Sequence, residues 1–151
     1  MLSSMDVVSN LTDGRSGQIT YLSASPFEMH HILCKMESTP KHPVFGNLTL
    51  PEKGEGAFPC VVACHGSRGW VEHQDTHIAN WLEAGIAVFR VHSSDSRDVV
   101  STVESQMMVT HAMMISDAFE ALKLLNTHPL IDSNRIAISG WRLGGTAALY
   151  S

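Results

Sequence analysis

The stretch that most constrains this chain is Arg135-Ile136-Ala137-Ile138-Ser139-Gly140-Trp141-Arg142-Leu143-Gly144-Gly145-Thr146. It reads as a short buried strand, a glycine-bracketed sharp turn and the start of a helix. Strand, tight Gly-x-x-x-Gly turn, helix is the layout of a nucleophile elbow, which lifts one side chain off the backbone at the tip of a sheet. The middle position of that turn calls for Ser, Cys or Asp. Arg142 stands there instead, and its guanidinium is protonated at any ordinary pH and cannot attack a carbonyl. The sequence offers a scaffold and withholds its usual chemistry.

The chain leading to the elbow alternates strands and helices. Residues 1–15 are polar and weakly patterned, a loose terminus. Gln18 to Leu22 alternates as a first strand, residues 26–43 keep no period, and Val44 to Leu50 reads as a second strand. Pro51 to Gly56 is an exposed turn. Phe58-Pro59-Cys60-Val61-Val62-Ala63-Cys64 is a continuous apolar run, as expected of a strand buried on both faces of a parallel sheet. His65-Gly66-Ser67-Arg68-Gly69 follows as a glycine loop. The next helix runs to about Ala84, with Ile78, Trp81 and Leu82 inward and Gly85 as its stop. Ile86 to Val91 is another buried strand.

After a polar loop, Ser101-Thr102-Val103-Glu104 reads as a capping box. The helix expected beyond it carries Met107, Met108, Met114, Ile115, Ala118, Leu122 and Leu125 as a core-facing stripe. Pro129 lies just past that helix, and Asp132-Ser133-Asn134 turns the chain into the elbow strand. This alternation predicts an α/β fold: a mostly parallel sheet with helices on both faces, in three α/β/α layers.

Length and composition fit one globular domain of 151 residues, with 44% hydrophobic and 17% charged residues. A net charge of −5 and the absence of any Lys/Arg run argue against nucleic acid as a partner. No stretch approaches about 18 apolar residues, so no membrane span is expected. Cys34, Cys60 and Cys64 are sparse and odd in number, and the last two lie at opposite ends of one strand. Reduced thiols and a cytoplasmic location follow, with no export signal between Met1 and Gly17. Asn10-Leu11-Thr12 and Asn47-Leu48-Thr49 match the glycosylation triplet, but carry little weight without such a signal.

Residues from about 44 to 151 resemble the front half of an α/β-hydrolase, most closely of the dienelactone hydrolase-like branch. The likeness rests on an ordered series: Leu50-Pro51, Phe58-Pro59, His65-Gly66-Ser67 and Ala84-Gly85-Ile86-Ala87. It continues through Val99 to Gln106, His128 to Asp132, Arg135-Ile136-Ala137 and Gly144 to Tyr150. On this reading residues 1–43 form an N-terminal segment, and 44–151 run to just after the elbow. The resemblance implies a scaffold for cleaving esters and lactones with a nucleophile, a His base and an acid. The nucleophile position, between elbow glycines Gly140 and Gly144, is held by Arg142. The family's acid and His follow the elbow, whereas this chain stops at Ser151. No catalytic residue, cofactor or metal is therefore expected here.

What the resemblance leaves is an oxyanion hole made by the backbone N–H groups of Leu143 and Ser67. Those donors could hold an anion, aided by Arg142 if its side chain turns into the pocket; the alternative is an arginine that swings into solvent. Small esters or anions are the expected ligands at most. The strand Ile136 to Ser139, which the family pairs with the Cys60–Cys64 strand and with a later one, would lie on an open edge. Marginal stability, dimerisation through that edge or aggregation is expected.

Other constellations are weaker. His73 and His77 share the spacing of a zinc-protease helix, but Gln74 replaces the general base and a third ligand is missing. Cys64 and His65 are adjacent, so they point to opposite faces and do not form a dyad. His65 reads as a loop-shaping residue and His111 as a core histidine. Ser139, Thr146 and Ser67 lie off the exposed tip. The lead expectation is an inactive hydrolase scaffold. The rivals are a small-anion binding module and a fragment of a longer hydrolase.

Overall fold

The computed structural model describes residues 6–151. Its strands are β1 (Val7–Val8), β2 (Gly17–Ala24), β3 (Lys41–Thr49), β4 (Phe58–Cys64), β5 (Ala87–Val91) and β6 (Ile131–Gly140). Its α-helices are α1 (Met29–Cys34), α2 (Glu72–Glu83), α3 (His111–Leu125) and α4 (Leu143–Leu149). The strands form a single sheet in the order β1-β2-β3-β5-β4-β6. β3 is antiparallel to both its neighbours, while β5, β4 and β6 run parallel. The expected α/β architecture is present.

β4 sits at the centre of the parallel part, and its alternation divides the core. Cys60, Val62 and Cys64 face one side, where they join Met114, Ile115, Ala118, Leu125, Leu143 and Ala147 of α3 and α4. Val61 and Ala63 face the other, against Ile78 of α2 and Val88, with Trp70, Trp81 and Trp141 around them. Fully burying a side chain such as Val62 or Phe89 contributes roughly 1.5–3 kcal/mol. α2 ends as its sequence predicts. Gly85 adopts φ +78°, its N–H donates to the Leu82 carbonyl, and the Ile86 N–H reaches the Trp81 carbonyl at 2.9 Å.

Several expectations are corrected. The helix read from the Ser101 capping box begins instead at His111. Thr110 is its N-cap and accepts the Met113 N–H at 3.3 Å. Residues 101–110 are irregular turns and bends, held against the loop after β4 by the Thr102 N–H on the Ser67 carbonyl at 2.8 Å. Met107 and Met108 are consequently 67% and 61% exposed and lie off the core stripe. His111 is half-buried in the first turn of α3 rather than a core residue.

The start of the chain is pinned as far as it is described. β1 pairs in parallel with Thr20 and Tyr21, and Leu11 is fully buried, its N–H held by Thr127 Oγ1 at 2.7 Å. β3 starts at Lys41 and includes Pro43, opposite Leu22. A proline is tolerated because β5 pairs only with Gly46 to Thr49, which leaves the first half of β3 with one neighbour. α1 and a short 3-10 turn occupy part of the aperiodic stretch before it.

β6 is the last strand of the sheet, and among the described residues nothing pairs with its outer edge. A register shift opposite Phe58 and Cys60 accommodates extra residues around Asp132. Arg135 staples that bulge, donating to Asp132 Oδ2 at 2.6 Å and to the Ala57 carbonyl at 2.9 Å.

Candidate functional site at the carboxyl edge of the sheet

The parallel strands β4, β5 and β6 all end on one side of the molecule, and the loops that follow them meet there. In open α/β sheets this edge is where ligands bind. β6 delivers the chain to Gly140, and the Trp141 N–H then donates to the Cys64 carbonyl at 3.1 Å. Arg142 takes φ 52° and ψ −112°, a strained backbone for a residue with a Cβ that costs on the order of 1–3 kcal/mol. α4 starts at once, with the Gly144 N–H on the Trp141 carbonyl and the Thr146 N–H on the Arg142 carbonyl, both at 3.0 Å.

Close approach explains the two bracketing glycines. A Cβ on Gly140 would strike the Gly144 carbonyl group, and one on Gly144 would strike the carbonyl oxygens of Cys64 and His65. The elbow is thus wedged between its own helix and the end of β4.

Arg142 is exposed. Its aliphatic stem lies over Gly66, so that a methyl group on that glycine would meet Arg142 Cβ at 3.6 Å and Cδ at 3.8 Å. Its guanidinium has no ion-pair partner among the described residues. The structure therefore brings the loop carrying Ser67 against the elbow carrying Leu143. The Ser67 carbonyl is turned away and held by the Thr102 N–H at 2.8 Å and the Ser101 hydroxyl at 3.3 Å. The Leu143 N–H is in the first turn of α4, where amides lack intrahelical acceptors.

His65, at the end of β4, is buried between loops. Its Nδ1 lies 2.8 Å from the Gly66 carbonyl oxygen, and its Nε2 accepts the Ser94 N–H at 3.3 Å. A carbonyl can only accept and an amide only donate, so the ring is the neutral Nδ1–H tautomer. Burial also pushes its pKa below the usual histidine value. Its sequence assignment as a loop-shaping residue matches this placement. His92, after β5, is equally engaged. It contacts Asp95 Oδ2 at 2.7 Å and Asn47 Nδ2 at 3.1 Å, and stacks on Phe45 at 4.7 Å between centroids.

Burial raises the thiols of Cys60 and Cys64 to about 12, so neither supplies a thiolate nucleophile at neutral pH. Among the described residues no hydrogen bond joins a Ser, Thr or Cys side chain to a histidine ring, and no group of three or more His, Cys, Asp or Glu could hold a metal ion. His73 and His77 are exposed on α2.

Sequence reasoning missed the polar centre behind this edge. Asp117 of α3 is fully buried and takes Arg97 in a two-pronged ion pair at 2.7 and 3.0 Å. The Ser23 hydroxyl adds a third bond at 2.6 Å. Arg97 also reaches the carbonyls of Ser93 and Ala24, tying the loop after β5 to β2 and α3. Tyr21 donates to the Asp117 carbonyl at 2.8 Å, and burial holds its phenol well above its ordinary pKa. The available signal was Asp117 itself, a charge three residues from Met114 on the apolar stripe of a helix, which requires a buried partner.

A sheet of this order, with a sharp turn of this backbone after its last parallel strand, defines the α/β-hydrolase fold. Comparison with known proteins agrees. No family model matches the chain. It is 35% identical over 108 residues to Esterase EstD of Thermotoga maritima (strain ATCC 43589 / DSM 3109 / JCM 10099 / NBRC 100826 / MSB8), a match covering 66% of this chain and 24% of that esterase. A dienelactone hydrolase-like promiscuous phosphotriesterase P91 from metagenomic libraries superposes with a TM-score of 0.58 at 17% identity, covering 88% of this chain and 53% of that one. A cold-adapted esterase from an Arctic intertidal metagenomic library gives 0.56 at 18% identity, covering 72% and 49%. The chain has the α/β-hydrolase fold, and it is similar to an esterase in sequence and to dienelactone hydrolase-like and esterase structures in fold. It spans about half the length of those solved structures and about a quarter of the curated relative.

Proposed function

We propose that this chain is an ester- and lactone-hydrolase scaffold whose own residues do not turn over esters. One observation carries the reading: an elbow backbone with both glycines in place presents an arginine where a nucleophile is required. The surroundings support it. The two nearby histidines already use their ring nitrogens on loop and side-chain partners, and the buried thiols stay protonated. The test is hydrolysis of a short activated ester by the purified chain and by Arg142→Ser, against heat-denatured protein. Both are expected at the denatured background, and clear turnover by the unmodified chain would refute the proposal.

A second reading has its own observation, the exposed Arg142, whose aliphatic stem lies over Gly66 and whose guanidinium has no ion-pair partner among the described residues. In that reading the N–H groups of Ser67 and Leu143 serve as oxyanion-type donors, and with Arg142 they hold a small carboxylate or phosphate. Saturable binding of acetate or inorganic phosphate, abolished in Arg142→Ala, would favour it. Binding retained in that variant would rule it out.

A further inference from the structure

The 93–94 peptide of the loop after β5 is gripped from both sides. Arg97 Nη1 donates to the Ser93 carbonyl at 3.0 Å, while the Ser94 N–H donates to His65 Nε2. In a trans peptide the carbonyl and the N–H point in opposite directions. Arg97, itself fixed by Asp117, therefore aims the Ser94 N–H at the imidazole and prevents it from turning away. The ring's other nitrogen holds the Gly66 carbonyl, at the head of the loop on which the Arg142 stem rests.

We propose that His65 is a pH-operated latch between the loop after β4 and the loop after β5, closed while the ring is neutral and released when Nε2 takes a proton. A protonated Nε2 becomes a donor facing another donor. The Ser94 bond is lost, and because Arg97 blocks a peptide flip, the two loops have to separate. The bond from Nδ1 to Gly66 survives, so opening occurs on the Ser94 side. This device works whether or not the site binds anything.

The charges around the ring set its threshold. Asp95 on the loop after β5 and Asp117 on α3 favour the protonated ring, and the second is offset by Arg97. His92 opposes it when charged, and the cationic Arg142 stands on the elbow with its stem over Gly66. Trp70 presents an uncharged ring at 5.9 Å. Burial is the largest influence and holds the latch closed at neutral pH.

The experiment is NMR of the intact chain with labelled histidine and backbone nitrogen, from pH 8 to 4.5. It follows the His65 ring nitrogens and the Ser94 amide in the same samples. The ring should show an Nδ1–H tautomer at neutral pH and titrate below the ordinary value near 6.5. The Ser94 amide should shift with the same midpoint. Its hydrogen exchange, corrected for intrinsic pH dependence, should rise at least about tenfold across the transition. In His65→Gln, whose amide can donate to Gly66 and accept from Ser94 without titrating, the Ser94 response should vanish; in His92→Gln it should persist. A Ser94 amide that stays still while His65 titrates, or that moves in His65→Gln, overturns the latch. So does an Nε2–H tautomer at neutral pH. Should His65→Gln fail to fold, the coincidence of midpoints in the unmodified chain decides.

Discussion

Replacing Asp117 by Asn tests how much of this fold depends on one buried charge pair. The carboxylate is fully buried and the Arg97 side chain is 7% exposed, so water cannot replace what the substitution removes. Asn keeps the shape and one acceptor, but loses the negative charge and one prong of the pair. Arg97 retains the Ser93 and Ala24 carbonyls and Ser25 Oγ, which satisfy its protons without neutralising its charge. Breaking a buried pair from one side typically costs about 3–5 kcal/mol. Against a total stability of roughly 5–15 kcal/mol for a domain, that is a large fraction. Urea unfolding followed by far-UV circular dichroism should therefore show a far lower midpoint for Asp117→Asn. Arg97→Met combined with Asp117→Leu should recover part of the loss, since no charge is then stranded. An Asp117→Asn variant within about 1 kcal/mol of the parent, or a double variant worse than the single, would refute the account.

Gly144→Ala places a methyl against the carbonyl oxygens of Cys64 and His65, both backbone atoms that cannot yield, and should cost more than about 3 kcal/mol in the same assay. Thiol titration with an aromatic disulfide should label Cys34 rapidly in the native chain and reach Cys60 and Cys64 only after unfolding. Because folding lowers the His65 pKa, the unfolded chain binds that proton more readily. Stability should be greatest above the unfolded value near 6.5 and decline as pH falls through the folded one, with a shallower decline in His65→Gln. Light scattering over a concentration series should show mass rising above the monomer through the open edge of β6, and a monomer at every concentration would refute that use of the edge.

The parts legible in the sequence are those governed by local pattern. The run from Phe58 to Cys64 could hardly be anything but a central strand, Gly85 had to end a helix, and Gly140 with Gly144 dictated the turn. Errors arose where a distant group outbid a local one. Ser101 to Glu104 has a good capping pattern, yet the segment stays a loop tied by Ser101 and Thr102 to the Ser67 carbonyl, and the helix waits for Thr110. Leu11 looked like part of a polar tail because a single apolar residue makes no period, although it fills the core. The site divided the same way. Arg142 could be placed from its glycines, but the link from Asp117 through Arg97 and the 93–94 peptide to His65 spans four segments and has no spacing to read.

The strain at position 142 arises from where Gly140 and Gly144 are wedged, and no side-chain contact of the arginine imposes it. Residue 142 is therefore a socket held under tension by its frame. Any side chain installed there inherits the same raised, outward pose. A single substitution there changes what the tip presents without the sheet having to refold.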